Sequence, residues 1–326
     1  MPIIDYLKLN KNFCIKAFVM LGLFSLFITG SFAMPSLKAK ANQVDLFQNM
    51  SFGCAADSFY DCPVQSQVVA GPWVLNTWQD YHTQWLNNFK SPENNGKIPY
   101  IYAYIIAGMA RNDWGTQDCN VSETNNLCQN GASYLQSHVD QIDQAYQNMA
   151  YRIRENWGVD KPVLIHMEPD YFQYLSNSQS TPESGCGNSW QSKLWQYMNR
   201  WVVGIKTILP NAKMVMDISP WNNDLSGWSA GFEGFDYAGV TGKRFAADGI
   251  IDGKSYAQLS QMTGKKLIVN GAYGVGGAMN SFDYSWTPRQ TLTDRWHDGV
   301  VVVMQSQDQK DYYNELIRTY SVDKIW

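Results

Sequence analysis

The stretch Val163–Leu175, VLIHMEPDYFQYL, closes an apolar run with Glu168 and Asp170 on either side of Pro169. Two carboxylates so placed can share acid–base work if their surroundings differ enough to keep one protonated and the other ionised. Further acids recur just past other apolar runs: Asp113 and Asp118 in GMARNDWGTQDCN, Asp217 in MDISPWNND, Asp236 in FDYAGVTG, and Asp308 beside Gln305 and Gln307. A single Asp in such a place often does no more than cap the next helix. Acids in three successive segments, with Trp114 and Trp221 among them, point instead to a cleft lined by carboxylates and indoles. Glycoside hydrolysis needs such a cleft, with one acid to protonate the leaving oxygen and others to face an oxocarbenium-like transition state. Pro169 lacks an N–H and biases Glu168 toward extended backbone, so the ladder should stop there. Glu168 is then expected in enclosed surroundings. Asp170 is expected at the mouth, where burial or the charges of Asp118 and Asp217 would favour its protonated form.

The elements that must carry these residues alternate. Seven apolar runs read as strands: GPWVLNTW, KIPYIYAYIIAG, KPVLIHMEP, AKMVMDIS, FDYAGVTG, KKLIVNGAYG and DGVVVVMQSQ. Helical periodicity marks residues 133–158 and 189–212, and more briefly 291–299 and 310–320. Continuous apolar strands separated by helices imply a parallel sheet covered on both faces. The reading is α/β, a distorted (β/α) barrel of about seven parallel strands, TIM-barrel-like, with an eighth strand either absent or missed. Its competitor, an open doubly wound sheet, lacks a GxGxxG after its first strand. The Gly-rich GAYGVGG opens no helix and reads as an irregular loop. Active groups of a barrel gather past the C-terminal ends of the strands, where the acids fall.

Composition bounds the partners. The 326 residues carry a net charge of −4, which supplies no basic face for nucleic acid. Thirteen Trp and 19 Tyr serve either a packed core or sugar-stacking platforms. Lys8, Lys11 and Lys16 precede the apolar run Ala17–Gly30 and the small residues Ser31 and Ala33. That is the pattern of a secretory signal over 1–33, with an uncleaved anchor as its alternative. The mature chain would be secreted or periplasmic, without membrane attachment after cleavage, and a monomer. Residues 34–65 read as an N-terminal segment and 66–326 as one barrel domain. Beyond Cys14, five cysteines remain, Cys54, Cys62, Cys119, Cys128 and Cys186, which allow two disulfides and one thiol. Cys54 can pair with Cys62 and Cys119 with Cys128 or Cys186. Four His and no CxxC argue against a metal site, and no cofactor is implied.

LIHMEPDYFQYL resembles the motif of glycoside hydrolase family six, the inverting cellulases, in which a strand ends in EPD and the Asp donates the proton. TQDC at Thr116–Cys119 resembles that family's RDC motif, AKMVMDISPWNNDLSGW its Asp-bearing strand, and GFDYAGVTG a further short strand. The resemblance implies Asp170 as general acid, Asp118 as its partner and Asp217 as an electrostatic or substrate-contacting carboxylate. It implies inverting cleavage of a β-glucan and favours a Cys119–Cys186 disulfide. Trp114, Trp221, Trp228 and Glu168 are the candidate substrate contacts. Gln117 replaces the family's Arg, and QSQDQKD replaces the loop that carries its base. That replacement supports a second reading, a carbohydrate-binding barrel without catalysis. A third takes Glu168 as the acid of a retaining hydrolase, but the segment directly after the seventh strand, QSQDQKD, holds no Glu to act as nucleophile.

Overall fold

The computed structural model describes residues 45–55, 66–117, 125–169, 171–175, 189–241, 250–270 and 289–306. The chain divides into Met1–Leu46, of which Asp45 and Leu46 are described, and Phe47–Trp326, which holds the fold. Within the latter, eight strands close a barrel. They are β1 (Ser51–Ala55), β2 (Val68–Ala70), β3 (Ile98–Ala103), β4 (Val163–Met167), β5 (Ala212–Ile218), β6 (Tyr237–Thr241), β9 (Lys266–Asn270) and β10 (Val300–Ser306). Every neighbouring pair is parallel, and β1 pairs with both β10 and β2 to complete the ring. A small antiparallel hairpin, β7 (Ile250–Ile251) with β8 (Lys254–Ser255), lies between β6 and β9 in the chain.

The helices are α1 (Asp80–Asn87), α2 (Ile105–Trp114), α3 (Leu127–Trp157), α4 (Ser189–Ile208), α5 (Leu225–Ser229), α6 (Tyr256–Thr263) and α7 (Arg289–His297). Alternation along the strands divides the apolar residues between two layers. Val163, Ile165 and Met167 of β4 and Met214, Met216 and Ile218 of β5 join the large core shared with the helices, alongside Tyr146, Trp201 and Leu194. Leu164, His166, Val215 and Asp217 fall on the other parity and face the barrel axis. Side chains buried on both faces explain why these strands read as unbroken apolar runs.

The eighth strand is β1, SFGCA, inside the 34–65 stretch that the sequence separates from the barrel; the barrel therefore begins upstream of residue 66. GPWVLNTW is not a strand. The second strand is Val68–Ala70, just before it, and Gly71–Trp78 is a loop with one bridge, Val74 to Ala103. KIPYIYAYIIAG splits into β3 and the start of α2, because one apolar run serves a strand and the helix after it. The helix expected over 133–158 begins six residues earlier, where the Asn126 side chain accepts from the Gln129 N–H at 3.1 Å. Helices α1, α2, α5 and α6 were not anticipated. The stretches at 1–33 and 310–320 lie outside the described residues. No helix among the described residues is long and apolar enough to cross a membrane.

Candidate active site at the barrel mouth

A hydrogen-bonded chain crosses three strands inside the barrel. The Tyr100 hydroxyl on β3 lies 2.7 Å from His166 Nδ1 on β4, and His166 Nε2 lies 3.1 Å from Asp217 Oδ1 on β5. Tyr100 and His166 are fully buried, and the Asp217 side chain is 3% exposed. Burial drives the His166 pKa down to about 3, so the imidazole is neutral near pH 7. A carboxylate only accepts. His166 therefore carries its proton on Nε2 and donates to Asp217, while Nδ1 accepts from Tyr100. Burial, and then the Asp217 charge, push the Tyr100 hydroxyl well above its ordinary value and keep it a donor. Neutral but polar, this hydrogen-bonded chain fixes the rotamer of Asp217.

The imidazole needs room, and Gly239 on β6 supplies it. A Cβ there would come within 2.6 Å of His166 Cε1. Above the chain, Tyr102 of β3 lies 5.4 Å from the imidazole and stacks on Trp73 at 5.0 Å, with 15° between the ring planes. Trp73 follows β2 and keeps part of its surface exposed. Near the C-terminal ends of β3 to β5 the Tyr102 phenol, the His166 imidazole and the Asp217 carboxylate thus form a buried floor, with the half-buried Trp73 indole stacked over Tyr102. Tyr100, Tyr102, His166 and Trp73 were absent from the sequence expectation. The alternation Tyr100–Tyr102 beside His166 was the available signal, because three polar-tipped side chains on the inward parity of a barrel need one another as partners.

Glu168 goes elsewhere. Its backbone sits at φ 38°, in the left-handed region and not the extended one expected ahead of Pro169. That turn swings the side chain out of the barrel into the helix layer. There Glu168 Oε1 accepts from the Ile106 N–H at 2.8 Å and from the Tyr146 hydroxyl at 2.5 Å, and the residue is fully buried. Ile106 is in the first turn of α2, so the carboxylate complements unpaired N–H groups and the positive end of the helix. Burial first, then the Glu168 charge, push the Tyr146 and Tyr171 hydroxyls well above their usual range. Glu168 is thus fully buried between the start of α2 and Tyr146.

The other candidates separate. Asp118 and Asp170 lie outside the described residues, as do Gln307 and Asp308. Trp221, three residues past β5, is 38% exposed and stays available as a platform. Trp114 is 40% exposed but ends α2, where its edge packs on Tyr134 and His138 at 5.0 and 5.6 Å. Asp113 is engaged too, accepting from the Tyr134 hydroxyl at 2.6 Å. Trp228 is a core residue. It is 2% exposed and packs against Phe232, Phe172, Tyr171 and Trp195. Asp236 precedes β6 and so sits at the opposite end of the barrel, where it accepts from the Met214 N–H and pairs with Lys206 at 2.9 Å and Lys213 at 3.8 Å. Cys54 and Cys128 are disulfide-bonded. Cys62, Cys119 and Cys186 lie outside the described residues, and a bonded Cys128 disfavours the pairing of Cys119 with Cys186 that leaves Cys128 over. Among the described residues no group of His, Cys, Asp or Glu is arranged to hold a metal ion.

No family model matches this chain, and no curated protein matches it in sequence. Solved structures do match. The YdhT protein from Bacillus subtilis aligns with a TM-score of 0.57 at 13% identity, over 83% of this chain and 85% of that one. The likeness is one of fold, the TIM barrel. A β-mannanase from a symbiotic protist of the termite Reticulitermes speratus, solved with a gluco-manno-oligosaccharide, aligns at 0.53 and 11% identity over 83% and 88% of the two chains. A ruminal GH26 endo-β-1,4-mannanase aligns at 0.52 and 11% identity over 86% of this chain but 63% of its own, so this chain spans less than two thirds of it. The glycoside hydrolase family named there is twenty-six. The resemblance to family six is supported at the level of the barrel fold and not of the family.

Proposed function

We propose that this chain is an exported glycoside hydrolase that cleaves a β-linked polysaccharide at the C-terminal mouth of its barrel. The observation that carries the reading is the floor of β3–β5, where Trp73 stacks on Tyr102 beside a carboxylate held by a buried imidazole. Saccharide recognition pairs such a stacking face with fixed polar groups, and glycoside cleavage requires carboxylates in contrasting environments. Asp217 stabilises positive charge developing at the anomeric carbon. Asp170, two residues past Glu168 at the end of β4, donates the proton to the leaving oxygen, with Asp118 as its partner. Trp73 and Trp221 are the sugar platforms. Two of the solved barrels are mannanases by name, which makes β-mannan the first substrate to test and β-glucan, suggested by the sequence motifs, the second.

Reducing-sugar release from β-mannan, glucomannan and cellulose by the mature protein is the test. Release from at least one supports hydrolysis. Tight binding to one of them without release supports the carbohydrate-binding reading, which the structural engagement of Glu168 favours by withdrawing one carboxylate of the opening pair from any substrate. N-terminal sequencing of secreted protein should begin near Met34; an intact Met1 on membrane-held protein contradicts export.

A further inference from the structure

A second concavity lies beside α3. It is a cleft of about 620 Å³ between one face of α3 and the loop after β2, within the usual ~300–1,000 Å³ of small-molecule sites. From α3 come Gln141, Gln144 and Asn148, spaced as one helical face, with Ala145 leaving depth between them. Across from them stand Asn76, Thr77 and Trp78. Tyr151, 47% exposed, extends the same α3 face. Among the described residues of the lining the charged ones are Arg152 and Glu155, which pair with each other at 3.2 Å.

The opposite wall is fixed. Asn76 holds a left-handed backbone at φ 72°, and its N–H side rests on Gly108 of α2, where a Cβ would approach Asn76 N within 2.7 Å. Trp78 Nε1 donates to Thr83 Oγ1 at 2.8 Å, which sets the indole plane while leaving the ring half-buried. Gln144 Nε2 donates to Asn148 Oδ1 at 3.1 Å, orienting two of the amides. An exposed helical face is usually made soluble by Lys and Glu. This one is made of amides, facing an indole and flanked by a phenol, and carries no net charge.

We propose that this cleft is a second binding site for a neutral oligosaccharide. Amides supply paired donors and acceptors that match vicinal hydroxyls, and aromatic faces take the apolar side of a pyranose ring. Absence of net charge disfavours anionic or cationic ligands. The loop after β2 carries Trp73 at the mouth and Trp78 in the cleft, five residues apart, so one loop serves both places. The inference rests on the polysaccharide reading for the choice of probe and not for the cleft's chemistry.

The test uses the full mature protein titrated calorimetrically with mannohexaose and with cellohexaose, in an Asp217→Asn background to suppress cleavage. A second sample adds Asn148→Ala and Tyr151→Ala, both at the surface. Loss of one hydrogen-bonding amide and one stacking face should weaken binding at the cleft by about tenfold or more. Cleavage of a short soluble substrate by the double variant with Asp217 intact should remain at the parent level. Unchanged affinity in the double variant overturns the proposal, and so does a failure of both hexaoses to bind. Cleft-dependent binding in a protein that cleaves nothing would remove the hydrolase reading and leave this one standing. Cleavage with no cleft-dependent binding would do the reverse.

Discussion

Asp217, next to last in β5, and Asp236, just ahead of β6, sit toward opposite ends of neighbouring strands, and they are held in opposite ways. Asp236 is surrounded by compensation: two lysine ammonium groups and a backbone N–H converge on it. The partner described for Asp217 is a neutral imidazole, itself held by a tyrosine hydroxyl. One arrangement cancels charge and ties a helix to a strand. The other orients a carboxylate inside the barrel through a neutral donor, where a hydrogen bond is stronger than in water. That contrast follows the general division of such barrels, with stability built at the N-terminal end and chemistry at the C-terminal end. It teaches that an acid beside an apolar run carries no functional meaning until its end of the strand is known.

The largest expected effect lies within the mouth. Asp170→Asn should lower cleavage of a natural polysaccharide by about 10²–10⁴-fold, and cost less on a substrate with an activated leaving group. Glu168→Gln should affect both substrates alike and appear mainly as lost stability, about 1–3 kcal/mol, because it disturbs the α2 N-terminus and the Tyr146 contact. Reversed leaving-group dependence would transfer the acid role to Glu168. The next effect separates two indoles. Trp228→Ala should cost about 3–5 kcal/mol in urea unfolding, whereas Trp73→Ala should weaken oligosaccharide binding with a much smaller stability loss.

Smaller again, Asp236→Asn should cost about 1–3 kcal/mol while leaving the turnover of folded molecules unchanged. A last signal, of similar size, is in pH. His166 holds a depressed value near 3 in the folded state against 6.5 unfolded. As pH falls below 6.5 the unfolded chain binds a proton that the folded chain does not, so stability falls with pH down to about 3. One such group gives a slope of up to about 1.4 kcal/mol per pH unit. Urea midpoints between pH 7 and pH 5 should therefore fall more steeply for the parent than for His166→Gln. Equal slopes would mean that His166 is not the buried neutral group of this account.

Most of the strand framework was legible because residues buried on both faces leave unbroken apolar runs, as in β4, β5 and β10. Strand β1 escaped because SFGCA is short and holds a Gly and a Ser on its inward parity. Where a strand and its following helix were both apolar, as at Ile98–Trp114, periodicity could not divide them. The acids were found by position and misread by direction. Asp236 was placed past a strand that it precedes, and the positive φ of Glu168 reversed a side chain that Pro169 seemed to fix. Trp73 was hidden because GPWVLNTW passed for a strand, and the Tyr100–His166–Asp217 chain is a contact among three strands that no local pattern displays.

The central claim is that Asp217, oriented by His166, marks the reacting end of the barrel. Reducing-sugar release from β-mannan, per folded molecule, should be measured side by side for the parent, Asp217→Asn and Asp236→Asn. The account predicts release by the parent, a fall of about 10²–10³-fold for Asp217→Asn with little change in unfolding midpoint, and parent-like release for Asp236→Asn. Parent-like release by Asp217→Asn, or a comparable fall in both variants, would contradict it.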